Sequence, residues 1–78
     1  MKRTLASYQL DCQGQLCPVP ILMTEEKLNE LKTGDVLEVL FTDVGAKADL
    51  EAWCKATKNE LLGFKEEKWK YFAYVRKV

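Results

Sequence analysis

The sequence contains no histidine, and that absence removes Cys-His dyads, Ser-His-Asp triads and most zinc sites together. Any cysteine chemistry must therefore activate its thiol by other means. Excess charge of either sign is missing too: twelve basic residues balance twelve acidic ones, whereas a free-standing nucleic-acid binder usually shows a clear positive surplus. Apolar runs are far too short to span a bilayer. The stretch Met1-Lys2-Arg3-Thr4-Leu5-Ala6-Ser7-Tyr8 starts basic but has no apolar region behind it, so it is not read as a secretory signal, and the expected location is cytoplasmic. Cysteine is scarce and odd in number, with three residues. Without a secretory signal, that argues for reduced thiols and against a disulfide framework. The two prolines lie close together, at Pro18 and Pro20.

No linker, repeat or low-complexity stretch divides the chain, and its 78 residues read as a single domain, 1–78. A domain this small buries only about 60% of the surface its unfolded form exposes. It has little room for a deep substrate pocket. Chemistry belongs on its surface or is completed by a partner. The composition, 47% hydrophobic and 31% charged, is that of an ordinary globular protein.

Thr4 to Asp11 reads as a strand with Ala6, Tyr8 and Leu10 on one face, and Cys12 to Cys17 as a turn around Gly14. A helix follows from Pro18 to about Lys32, with Ile21, Leu28 and Leu31 as its apolar stripe and Gly34 as a left-handed cap. Asp35 to Thr42 forms a second strand, with Glu38 as its one clearly polar residue, which suits a covered central position. After the Thr42-Asp43-Val44-Gly45 turn, a second helix runs from about Ala46 to Thr57. It would bury Ala46, Leu50, Trp53, Cys54 and Thr57. Lys58-Asn59 breaks it. Glu60 to Lys65 and Trp69 to Lys77 then form a hairpin through Glu66-Glu67-Lys68. The order βαβαββ predicts an α+β fold: a two-layer α/β sandwich with a four-stranded mixed sheet and two helices on one face.

The chemically informative stretch is Leu10-Asp11-Cys12-Gln13-Gly14-Gln15-Leu16-Cys17-Pro18-Val19-Pro20. Cys17 falls at the N-cap of the first helix, and Pro18 at its first helical position, where a missing N–H is harmless. Pro20 is still tolerated in the first turn but biases Val19 away from helical backbone, which moves the start one residue later. Either way the sulfur faces the positive end of a helix dipole. Helix N-termini can lower a cysteine pKa from about 8.5 toward neutrality, and they hold anions through free N–H groups. A thiolate, persulfide or thiosulfate there would share that stabilisation. From spacing alone, the inert reading of Cys17 as one more small buried side chain stands equally beside this one.

The chain resembles the TusA/SirA-like sulfur-carrier family. The match includes Leu10-Asp11, Gly14, Cys17-Pro18-Val19-Pro20, Gly34-Asp35, Thr42-Asp43, Gly45-Ala46, Asp49, Trp53-Cys54 and Val75-Arg76-Lys77. It runs in order through nearly the whole sequence, and a C-P-x-P at a strand-to-helix turn is specific. The resemblance implies the same βαβαββ domain. It also implies a sulfurtransferase in which Cys17 is catalytic, receiving sulfane sulfur as a persulfide and passing it to an acceptor, with Gly14, Pro18 and Pro20 as supporting motif residues. Two positions depart from the family pattern: Gln15 stands where leucine is frequent, and Val44 where proline follows the turn aspartate.

Other residues have plainer readings. Cys12 flanks the same turn and is a candidate resolving thiol that would release sulfur as a Cys12–Cys17 disulfide; a chemically silent strand-end side chain is the favoured alternative. Cys54, beside Trp53 on the apolar helix face, is core. Asp43 reads as a helix cap or turn residue, and Asp49 and Glu51 as helix-surface carboxylates. The run from Trp69 to Lys77 mixes aromatic and basic residues, but strand alternation explains it better than RNA stacking. No metal or cofactor is expected. Expected partners are sulfur donor and acceptor proteins, or small species such as thiosulfate and persulfide, with basic residues near the Cys17 end helping to dock an acidic surface. Two rival functions remain open: a thiosulfate-processing helper of a membrane transporter for sulfur-containing anions, and a non-catalytic interaction module.

Overall fold

The least polar strand of the sequence takes the middle of the sheet. In a computed structural model that describes residues 6–16 and 18–78, the elements are β1 (Tyr8–Cys12), α1 (Val19–Asn29), β2 (Val36–Phe41), α2 (Val44–Thr57), β3 (Glu60–Glu67) and β4 (Lys70–Arg76). The sheet order is β1-β2-β4-β3. β2 pairs parallel with β1 and antiparallel with β4, while β3 closes the antiparallel hairpin on β4. Leu37, Val39 and Phe41 of β2 and Ala73 and Val75 of β4 face the helices and form one buried cluster with Leu28, Ala46, Leu50 and Cys54. The expected two-layer βαβαββ sandwich is therefore the fold observed. No helix among the described residues is long and apolar enough to cross a membrane.

Several boundaries differ from the sequence expectation, each for a local reason. α1 ends at Asn29, short of Lys32. Glu30 and Leu31 donate their N–H groups to Lys27 and Leu28 three residues back, tightening the last turn. Leu31 is still buried, but from the bend beyond the helix. The left-handed residue Gly34 (φ 96°) therefore does not cap the helix. It sits in a turn closed by the Asp35 N–H on the Lys32 carbonyl, while the Asp35 carboxylate accepts from the Lys32 N–H. The buried face of α1 is Pro20, Thr24 and Leu28. Thr24 tolerates full burial because its hydroxyl donates to the Pro20 carbonyl at 2.8 Å.

α2 starts earlier than expected, at Val44, because the Asp43 side chain accepts from the Gly45 N–H at 3.2 Å, the cap that the sequence suggests. Its buried residues are Ala46, Leu50 and Cys54; Trp53 is half-buried, and Thr57 is exposed, bonded to the Trp53 carbonyl. β3 runs on to Glu67, and a register shift between Leu61 and Gly63 puts a bulge in it. The hairpin turn accordingly lies at Lys68-Trp69 instead of Glu66-Glu67-Lys68, and both residues have left-handed backbone, φ 46° and 69°.

Candidate functional site

Because β1 and β2 are parallel, their C-terminal ends lie side by side, Cys12 opposite Phe41. Each strand then feeds a helix N-terminus: β1 through residues 13–18 into α1, and β2 through Thr42 and Asp43 into α2. The first connection is pinned at several points. The Asp11 carboxylate accepts from the Gln13 N–H at 2.9 Å. Gln15 donates to the Cys12 carbonyl, and Gly14 supplies the left-handed residue of the turn at φ 78°. Gly14 also donates its N–H to the Thr42 hydroxyl at 2.9 Å, tying the two connections together. Removing that acceptor with Thr42→Val should free the loop locally. Amide exchange at Gly14 is expected to speed up roughly two- to tenfold, as loss of one ordinary hydrogen bond implies, and an unchanged rate would show that the tie carries no weight.

At the opening of α1, Pro18 is the N-cap residue and Val19 the first helical one, so Pro20 occupies the second position. That is one residue later than Cys17 as cap and Pro18 as first helical residue. The later start keeps Val19 helical despite the bias that Pro20 places on it. It corrects the expectation of free backbone donors at this end. Pro18 and Pro20 have no N–H, Val19 donates to the Leu16 carbonyl at 2.9 Å, and Ile21 donates to the Pro18 carbonyl at 3.1 Å. Across positions 18–21 no amide is left to cradle an anion. What remains is the helix dipole, which no acidic residue in the first turn opposes.

Cys17 itself lies outside the described residues. Its neighbours Leu16, 71% exposed, and Pro18 are both at the surface. The other two cysteines are placed differently. Cys12 is 0% exposed at the end of β1 and belongs to the core cluster. Burial, with a contribution from the Asp11 charge, pushes its thiol up to about 11. In this position it is a packed core side chain. Cys54 is core, as the helix pattern suggests, and burial pushes its thiol up to about 11 as well.

The antiparallel hairpin also reaches this end of the domain, which sequence reasoning missed. Phe41 is opposite Tyr71, and Tyr71 is opposite Glu66, so the Lys68-Trp69 tip projects from the same sheet edge as the residue 13–18 loop. Below the tip is an open hollow of about 340 Å³ lined by Glu67, Lys68, Lys70 and Phe72. The available signal in the sequence was that β3 could run on past Lys65 to Glu67.

Comparison with known proteins agrees with this architecture. A family profile described as "Sulfurtransferase TusA" matches residues 8–77. The chain is 42% identical over 69 residues to the sulfur carrier protein TusA of Allochromatium vinosum, covering 88% of this chain and 91% of that protein. It is 48% identical over 62 residues to the putative sulfur carrier protein YrkF of Bacillus subtilis, and 40% identical over all 78 residues to a putative sulfur carrier protein of Aquifex aeolicus. In those two relatives the match spans only 34% and 40% of the protein's length. The solved structure of a SirA-like protein from Desulfitobacterium hafniense superposes with a TM-score of 0.79 at 20% identity, covering 88% of this chain and 95% of that one. At that identity the likeness speaks for the fold alone.

Proposed function

The chain belongs to the TusA sulfurtransferase family, and from that premise we propose that Cys17 carries sulfur between partners as a persulfide. In the loading step the Cys17 thiolate attacks the outer sulfur of a donor persulfide. A new S–S bond forms at Cys17, the donor's S–S bond breaks, and the donor leaves as a thiol after taking up a proton. With thiosulfate as donor, the leaving group is sulfite. In the unloading step an acceptor thiolate attacks the outer sulfur, and Cys17 is returned as thiolate. Neither step has a net oxidant or reductant.

The observation that carries this reading is the contrast among the three cysteines. Cys12 and Cys54 are sealed in the core with raised thiol pKa values. Cys17 directly precedes the N-cap of α1, in a pinned loop with exposed neighbours. The unopposed dipole of α1 favours negative charge at that end, and spent amides make the stabilisation diffuse. A diffuse field suits a carrier, which must release its cargo. Release through a Cys12–Cys17 disulfide draws no support from a fully buried Cys12. The acceptor thiol is accordingly assigned to a partner or a small molecule. The cytoplasmic location expected from the sequence suits such reduced thiols.

The test is mass spectrometry of the intact protein after incubation with thiosulfate or a persulfide donor. An adduct of about 32 Da, one sulfur atom, should appear on the wild-type chain and on Cys12→Ser and Cys54→Ser, and be absent from Cys17→Ser. An adduct that survives Cys17→Ser sinks the proposal, as does a wild-type chain that takes up no sulfur from either donor. The latter result would leave the non-catalytic module standing.

A further inference from the structure

We propose that the β3–β4 hairpin tip is a docking anchor: Trp69 inserts into an apolar, carboxylate-rimmed pocket on the protein that exchanges sulfur with this domain. The inference deepens the sulfur-relay reading and rests on it. Its starting point is an anomaly at Trp69. The residue is 86% exposed, more than any other large hydrophobic side chain described. It also holds left-handed backbone at φ 69°, next to Lys68 at φ 46°. Two-residue hairpin turns of this hand select asparagine and glycine, which adopt such angles at little cost. Lysine followed by tryptophan is a poor choice for folding. A side chain that neither packs nor suits its backbone points to a use outside the domain, and tryptophan is the residue type most enriched among the hot spots of protein interfaces.

Position makes the use specific. Cys12, Phe41 and Tyr71 form one row across β1, β2 and β4. The loop that carries Cys17 and the hairpin tip leave the sheet at the same end, with β1 and β4 about 10 Å apart at two strand spacings. A partner seated on Trp69 would lie over that end. A surface anchor beside the loop is what a relay completed by a partner needs.

The tip also states the partner's chemistry. Lys65 pairs with Glu67 at 3.9 Å, whereas Lys68 and Lys70 make no ion pair among the described residues. Both line the hollow below the tip with Phe72 and with Glu67, whose carboxylate is the one that Lys65 pairs. An indole flanked by two such ammonium groups fits an apolar pocket with acidic margins. A nucleic-acid platform fits less well. The net charge is zero, Glu66 and Glu67 adjoin the tip, and Tyr71 is turned inward, stacked on Phe41 at 5.4 Å.

The test loads the chain with labelled sulfane sulfur and measures its transfer to two acceptors. One is dithiothreitol; the other is the dialysed, ribonuclease-treated soluble protein fraction of the cell the gene comes from. Trp69→Ala should transfer to dithiothreitol at the wild-type rate and to protein about tenfold more slowly. The double replacement Lys68→Asn with Trp69→Gly should show the same loss while melting at a higher temperature than wild type, which separates docking from folding. Wild-type transfer to protein by Trp69→Ala overturns the proposal. So does label that reaches macromolecules only when RNA is left intact, or only in the membrane pellet. A wild-type chain that fails to load, or fails to transfer even to dithiothreitol, would instead strike the underlying sulfur-relay reading and this proposal with it.

Discussion

Phe41→Ala is expected to destabilise the domain by about 3–5 kcal/mol, the usual range for emptying a fully buried aromatic site. Phe41 is 0% exposed at the end of the central strand. Its ring stacks on Tyr71 at 5.4 Å and meets Phe64 edge-on at 6.4 Å, contacts worth more than the buried area alone. A domain of this size has roughly 4–12 kcal/mol of total stability, so the variant should lose from about a quarter to all of it. Phe41→Leu keeps most of the volume and should lose on the order of 1 kcal/mol, leaving a folded chain for comparison. Urea unfolding followed by far-ultraviolet circular dichroism measures both. Losses below about 1 kcal/mol for alanine would mean that this end of the core is loosely packed. The consequence reaches the candidate site, because Thr42, which holds Gly14, is the next residue along the chain.

The element order and the two-layer architecture were legible because each strand and helix carries its own periodicity. Cys54 could be assigned to the core, and Asp43 to a cap, on spacing and side-chain chemistry alone. The residues that misled did so through tertiary effects. Thr24 is polar and falls outside the apolar stripe, yet its hydroxyl bonds back to its own helix and frees it for burial. Leu31 continues the helical spacing, but the chain leaves the helix before reaching it. The hairpin tip lies further along than the sequence suggests, because nothing in Lys68-Trp69 resembles the glycine or asparagine that such a turn selects. At the candidate site the lack of free amides at the start of α1 was already implied by prolines at its N-cap and second position. The burial of Cys12 was implied by its place two residues beyond Leu10, on the same face of the strand.

Stability should fall steeply between pH 9 and pH 11, and the two buried thiols set that window. In the unfolded chain each ionises near 9.0, whereas in the folded domain burial holds both protonated to about 11. A raised folded pKa means that the contribution is fully present below pH 9 and is lost as pH rises through 11, since above pH 9 the unfolded chain binds fewer protons. Two shifts of this size are worth roughly 5 kcal/mol together, close to the whole stability of a small domain. Tyr74 extends the trend: burial and its hydrogen bond to Glu38 push its phenol up to about 12. Urea midpoints measured under reductant at pH 8, 9, 10 and 10.5 should therefore drop at an increasing rate, and Cys54→Ala should halve the thiol-dependent slope. A flat profile to pH 10.5 would show that these thiols are less enclosed than their packing indicates. The same enclosure sets a functional selectivity. Of three cysteines, iodoacetamide at pH 7.5 should modify one in the native chain and all three in urea, with Cys17→Ser abolishing the native reaction. Native labelling of Cys12 or Cys54 would break the contrast from which Cys17 was chosen as the sulfur-bearing residue.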